Sequence, residues 1–199
     1  MNCWQCGADI KAGDLFCASC ETLQPPDPRR DHFARLRLEP RFELSVDDVT
    51  RAHRALQRQL HPDRFVSETD RVRRSSLEHA TLLNDAVRVL RDPVRRGAYL
   101  LSLRGLDPDS EDTKIRLDPL FLMEIIELRE AVSELDGSDA HVERGRMERE
   151  VAARFESLVA QLAAGLDDPD APPEPLAQLV AQLKYLRRVL DELHAQEAE

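Results

Sequence analysis

Four cysteines stand as two pairs, Cys3-x2-Cys6 and Cys17-x2-Cys20, with ten residues between the pairs. A Cys-x2-Cys pair can wrap two thiolates around one ion, and two such pairs complete a tetrahedral sulfur site. Gly7 relieves the turn after the first pair. The segment has few apolar side chains, so metal binding would supply its folding energy. Zn²⁺ on Cys3, Cys6, Cys17 and Cys20 is the expectation. An iron–sulfur cluster, paired disulfides and free thiols are the alternatives. Four sulfur ligands close the coordination shell, which points to a structural ion.

The next candidate is His61-Pro62-Asp63. As catalytic machinery it is poor: His and Asp lie two apart, and no Ser or Cys nucleophile is indicated. Alone it is a turn, in which Pro stops a helix and Asp suits a loop. The chain before it is helical in pattern. Ser45-Val46-Asp47-Asp48 reads as a capping-box-like start, followed by Val49, Ala52, Leu56 and Leu60 on one side and Arg51, Arg54 and Arg58 on another. A second helix is expected from about Asp70 to Leu90, with Ala80, Leu83, Val87 and Leu90 inward. Asp92-Pro93 starts a third, and Gly105 stands where a C-terminal cap belongs.

The remaining helices follow the same rules. Asp118-Pro119 opens one with Phe121, Ile125, Leu128, Val132 and Leu135 in a stripe. A long helix carries Met147, Val151, Phe155, Leu158 and Leu162. The last carries Leu176, Leu179, Leu183, Leu186, Leu190 and Leu193. Three such helices can close an antiparallel bundle. Leu122, Met123 and Ile126 lie off the stripe of their helix, flanked by Glu127, Arg129 and Glu130. They read either as a partner site with a charged rim or as a helix buried on two sides. Trp4 is expected to pack over the cysteine module, and the Glu-rich terminus to fray. No strand pattern and no internal repeat is evident, so the chain is expected to be mainly α.

The whole chain has 199 residues, 42% hydrophobic and 33% charged, with a net charge of −10. No stretch approaches the ~20 apolar residues of a membrane helix, and the start carries no secretory pattern. A reducing cytoplasmic setting and no membrane partner are expected. The charge is uneven: net −3 over 1–28, +6 over 29–105 with all 17 basic residues Arg, and −13 over 106–199. These ranges are the expected domains: a zinc-knuckle module with a Pro-rich linker, a helical hairpin, and a C-terminal three-helix bundle. The cysteine segment is acidic, with Lys11 its only basic residue, which argues against a nucleic-acid partner.

The basic-faced helix, the His-Pro-Asp loop and the antiparallel second helix together resemble a J-domain, with Phe33, Leu36 and Leu38 fitting its short first helix. Tyr99-Leu100-Leu101-Ser102-Leu103-Arg104-Gly105 and the run from Phe121 to Glu130 resemble HscB, the J-protein of iron–sulfur cluster assembly. The resemblance runs from about Asp31 into the last helix. The Cys-Trp-x-Cys-Gly opening and Pro-Asp-Pro-x-Arg-Asp resemble family variants with an N-terminal metal module. His32 stands where many J-domains have Tyr, and Arg64 replaces a frequent Lys.

The resemblance implies an L-shaped co-chaperone with no catalysis of its own. His61, Pro62 and Asp63, with Arg54 and Arg58, would dock on an HscA- or DnaK-type chaperone and stimulate its ATPase. Leu122, Met123, Ile126, Glu127, Arg129, Glu130 and Tyr185 would bind an IscU-type scaffold. The alternative is a general J-domain co-chaperone with another client.

Overall fold

The computed structural model describes residues 1–135 and 140–195, so the Glu-rich terminus lies outside the described residues. Among them the chain is mainly helical, with no strands and only two isolated bridges, Asn2 with Asp9 and Phe16 with Leu23. It divides into two compact units, Met1–Asp92 and Pro93–Glu199.

In the first unit two cysteine turns precede helix α1 (His32–Leu36), α2 (Val46–Leu60), a 3₁₀ turn (Pro62–Phe65) and α3 (Asp70–Leu90). Short polar side chains start each helix. Asp31 accepts from the Ala34 amide at 2.7 Å, the Ser45 hydroxyl from Asp47 at 3.1 Å, and Thr69 from Val72 at 3.4 Å. Asp48 pairs with Arg51 at 3.2 Å.

Helix α3 is the common partner of α1, α2 and the 3₁₀ turn. Its buried face is Val72, Ser75, Ser76, His79, Leu83, Ala86 and Leu90, while Ala80 and Val87 are only half-buried. The inward face is thus turned from the expected one. Two of the buried polar members are bonded across the fold, Ser76 to the Leu60 carbonyl at 2.7 Å and His79 to the Gln24 carbonyl at 2.9 Å, so their burial leaves no polar group unpaired there.

The second unit holds α4 (Pro93–Leu103), α5 (Pro119–Ser133), α6 (Ala140–Asp167) and α7 (Pro173–Ala195). Asp118 caps α5 by accepting from Leu120 at 2.9 Å, with Pro119 at the first helical position. Helix α4, placed by sequence at the end of 29–105, makes contacts with α6 and α7. Helix α7 touches α4, α5 and α6, and its buried set is Leu176, Ala177, Val180, Leu183, Leu186, Val189 and Leu193. Leu179 and Leu190 are half-buried flanks. Three neighbours bury a wider face than the expected leucine seam. Arg104 donates to the carbonyls of Leu166 and Asp168, satisfying the end of α6.

Leu186 lies at the centre of the cluster formed by Phe121, Ile125, Val132, Met147, Val151, Val189 and Leu193. Leu186→Ala is expected to remove about 2–5 kcal/mol from the second unit, read as a lowered urea midpoint by circular dichroism.

Candidate metal centre and docking surfaces

The two cysteine pairs are held by turns of one design. Cys3 N–H bonds Ala8 O at 2.8 Å and Gly7 N–H bonds Cys3 O at 2.9 Å; Cys17 repeats this with Thr22 and Glu21 at 3.0 and 2.8 Å. The amides two residues on, Gln5 and Ser19, each point at the preceding sulfur at 3.4 Å. The segment is therefore an internal repeat, which the sequence does not betray because only the cysteines recur. Gly7 takes the left-handed conformation at φ 76° in one copy, and Glu21 takes it at 56° in the other.

All four sulfurs lie within 4.8 Å of one another, with Cys3–Cys20 and Cys6–Cys17 both 3.7 Å apart. Sulfurs ~2.3 Å from one ion at tetrahedral corners are ~3.8 Å apart, whereas a disulfide needs ~2.05 Å. The donor set fits a single metal ion. Its electrostatics call for a cation as well. Burial opposes ionisation of Cys3, but the Cys6 and Gln5 amides and neighbouring thiols outweigh it and bring its pKa down to about 6. Around Cys6 the Ala8 amide favours the thiolate, yet the other three sulfurs and burial push its pKa up to about 12. Four thiolates cannot share this volume unless a positive charge sits among them.

The residues after the second pair carry the module onto the hairpin. Leu23 and Gln24 are buried, and the Gln24 carbonyl lies 2.9 Å from His79 Nε2 on α3. Trp4 Nε1 donates to Leu23 O at 2.9 Å, and the Arg71 guanidinium sits 4.3 Å over its ring. The segment expected to act as a spacer thus holds contacts that join module and hairpin.

At the other end of the hairpin, Ser76 donates to the carbonyl of Leu60 at 2.7 Å. Leu60 is the last residue of α2, so this bond fixes where the His-Pro-Asp turn begins. The His61 ring caps the 3₁₀ turn, its Nδ1 accepting from the Asp63 amide at 3.3 Å. The same Nδ1 lies 3.6 Å from the Asp63 carboxylate. The His61 and Asp63 side chains remain 46% and 86% exposed. Arg54, Gln57, Arg58, His61 and Arg64 line one shallow surface. Ser76 was invisible to the sequence reading, since a serine on a helix gives no sign of a partner 16 residues back.

On the second unit Leu122, Ile125, Ile126, Arg129, Glu130, Ser133, Tyr185 and Glu192 surround an open groove between α5 and α7. Met123 and Ile126 are each 57% exposed, so this side of α5 is not a second buried face. Met123 and Glu127 are exposed on α5 but outside the groove lining. Tyr185 meets Phe121 edge-on at 6.2 Å, and Arg129 bridges to Glu192 with contacts of 2.6 and 3.0 Å. Ser133 and Glu192 were not anticipated; Glu192 is brought to α5 from 63 residues away.

Residues 117–194 match the model of the HscB C-terminal oligomerisation domain. The mouse iron-sulfur cluster co-chaperone protein HscB is 32% identical over 96% of this chain and 81% of its own. The chain belongs to the HscB family. A co-chaperone HscB homologue of Burkholderia multivorans is 37% identical over 83% of this chain and 93% of its own. The crystal structure of human HscB superposes with a TM-score of 0.89 at 28% identity, covering 99% of this chain and 98% of that one. That span takes in the cysteine turns, so the HscB fold accommodates the whole described architecture. Among the described residues no helix is long and apolar enough to cross a membrane.

Two measurements probe the hairpin. Ser76→Ala leaves the Leu60 carbonyl buried without its partner and is expected to cost about 1–3 kcal/mol by urea denaturation. His79 has its pKa lowered, burial outweighing the Gln24 carbonyl. An unfolded histidine titrates near ~6.5, so the unfolded chain takes the proton first. Stability is then full above that pH and lost as pH falls below it. His32, also lowered by burial, acts with the same sign. Urea midpoints between about pH 8 and 5.5 should therefore fall more in the native chain than in His79→Gln.

Proposed function

We propose that this HscB-family co-chaperone binds an IscU-type iron–sulfur scaffold through the α5/α7 groove and presents it to an HscA- or DnaK-type chaperone. His61, Pro62 and Asp63, with Arg54 and Arg58, engage that chaperone and raise its ATPase rate. The observation that carries the reading is the groove: half-buried Leu122 and exposed Ile126 on one helix, Tyr185 across from them, and a rim of Arg129, Glu130 and Glu192, with exposed Met123 beside it. Apolar surface that the core does not need, bordered by charge, is what a protein partner covers. Glu127 extends the acidic rim along the same helix.

The two surfaces have separate work. Complementary charge on the arginine face of α2 steers encounter and orientation, while the hydrolytic residues belong to the chaperone. Holding the scaffold on the same chain raises its concentration at the chaperone without any new contact. Cys3, Cys6, Cys17 and Cys20 hold Zn²⁺, which folds the N-terminal turns and takes no part in cluster chemistry. A reducing cytoplasm suits four thiolate ligands. A second reading has another copy of the chain on the groove, the role named in the description of the matching family model.

Leu122, Met123 and Ile126 changed together to Ser should weaken scaffold binding about 100-fold or more by calorimetry, with helicity intact. Unchanged affinity refutes the groove assignment, and loss of a dimer in sedimentation with no scaffold binding at all favours the second reading. His61→Gln should abolish ATPase stimulation while scaffold affinity stays native. Stimulation retained in that variant would overturn the J-domain assignment, and stimulation without scaffold binding would leave a general co-chaperone.

A further inference from the structure

Gln24 is 3% exposed, and every polar group it has is engaged. Its backbone amide donates to Leu15 O at 2.8 Å, and its side-chain oxygen accepts from the Trp4 amide at 3.4 Å. Its side-chain nitrogen donates to Thr22 O at 2.8 Å and to the Cys3 sulfur at 3.3 Å. Its carbonyl faces the other way and takes the His79 contact at 2.9 Å, across 55 residues of chain. One residue thus touches a metal-ligand sulfur on one side and the hairpin helix on the other.

We propose that Gln24 is a working part of the metal centre and transmits metal occupancy to α3. The inference rests on the zinc reading of the four cysteines. An amide N–H bonded to a ligand sulfur stabilises the negative charge of the thiolate and orients it, as groups outside the ligand set do at metal sites generally. Without the cation nothing holds the four sulfurs at the corners of one site, and the Cys3 sulfur is no longer fixed opposite the Gln24 amide. Gln24 is then held only by its Leu15, Thr22 and Trp4 contacts, and the acceptor of the His79 bond is less firmly fixed. His79 stands one turn from Ser76, whose hydroxyl holds the Leu60 carbonyl at the entrance to the His-Pro-Asp turn. A continuous chain of bonds therefore runs from Cys3 to the start of the docking loop. Arg71 over Trp4 adds a second tie from α3 to the module.

Coupling of this kind is reciprocal: if metal strengthens the contact with α3, cutting that contact must weaken metal binding by the same factor. The full chain loaded with Zn²⁺ tests both directions. Gln24→Ala should pass its metal to a chromophoric chelator about 10-fold faster than the native chain. His79→Leu, which touches no ligand, should speed the transfer by about threefold, and His61→Gln should leave it unchanged. Removing metal from the native chain should raise amide exchange across residues 75–80 of α3 and leave α7 as it was. If Gln24→Ala does not fold, judged by its helicity, His79→Leu and the native metal-free chain decide the matter. Native transfer rates in the variants that fold, or unchanged exchange over 75–80, overturn the link alone. A chain that takes up no metal overturns the zinc reading together with it.

Discussion

A helix pair can bury only one stripe of each partner, so a helix with a wider inward face must collect several neighbours or leave apolar surface in water. Both units of this chain are organised by that constraint. Helix α3 gathers α1, α2 and the 3₁₀ turn, and α7 gathers α4, α5 and α6. The two solve the crowding differently. On α3 Ser76 and His79 are buried polar groups that exchange apolar area for directed bonds. On α7 Ala177, Val180 and Val189 fill the flanks of the leucine seam. Helix α5 packs on α7 and shares a cluster with Met147 and Val151 of α6, while its Leu120, Met123 and Ile126 stay exposed.

That difference decides how much could be read in advance. Helix starts were legible because capping is local: Ser45 and Asp118 meet amides two residues away. The cysteine pairs were legible because ligand spacing is local too. The inward face of α3 was not, because its buried members include Ser76 and His79, whose partners are remote. Ser76 is matched to a carbonyl 16 residues back, and His79 to one 55 back. Periodicity counts apolar residues, so it passes over buried polar ones that bond across the fold.

The candidate sites divide along the same line. Leu122, Met123 and Ile126 could be singled out because they exceed what one stripe needs, a surplus visible in the helical wheel. Met123 and Ile126 are exposed as that surplus requires, whereas Leu122 is half-buried against the core. Glu192 and Ser133 complete the groove only because α5 and α7 meet there, and nothing local marks them. The repeated cysteine turns were hidden for a further reason. Their hydrogen bonds run between backbone groups, so side-chain identity outside the cysteines is free to differ, as Gly7 and Glu21 do at the same left-handed position.

Most residues proposed to meet partners do little for the fold. His61 and Asp63 stand in water, and so do Met123 and Ile126; the core around them is complete without them. Their substitution should therefore separate function from stability cleanly. The cysteine module obeys the opposite logic. Cys3 and Cys17 are themselves core residues, packed with Ile10 in one small cluster. There the ligand set and the core are the same atoms, so a partner of the sulfurs cannot be changed without changing the packing. Gln24 sits where these two regimes meet: it is buried as deeply as a core residue, yet its bonds lead outward to the helix that supports the exposed His-Pro-Asp turn. A metal site placed on such a residue is physically part of the hairpin, although no ligand comes from it.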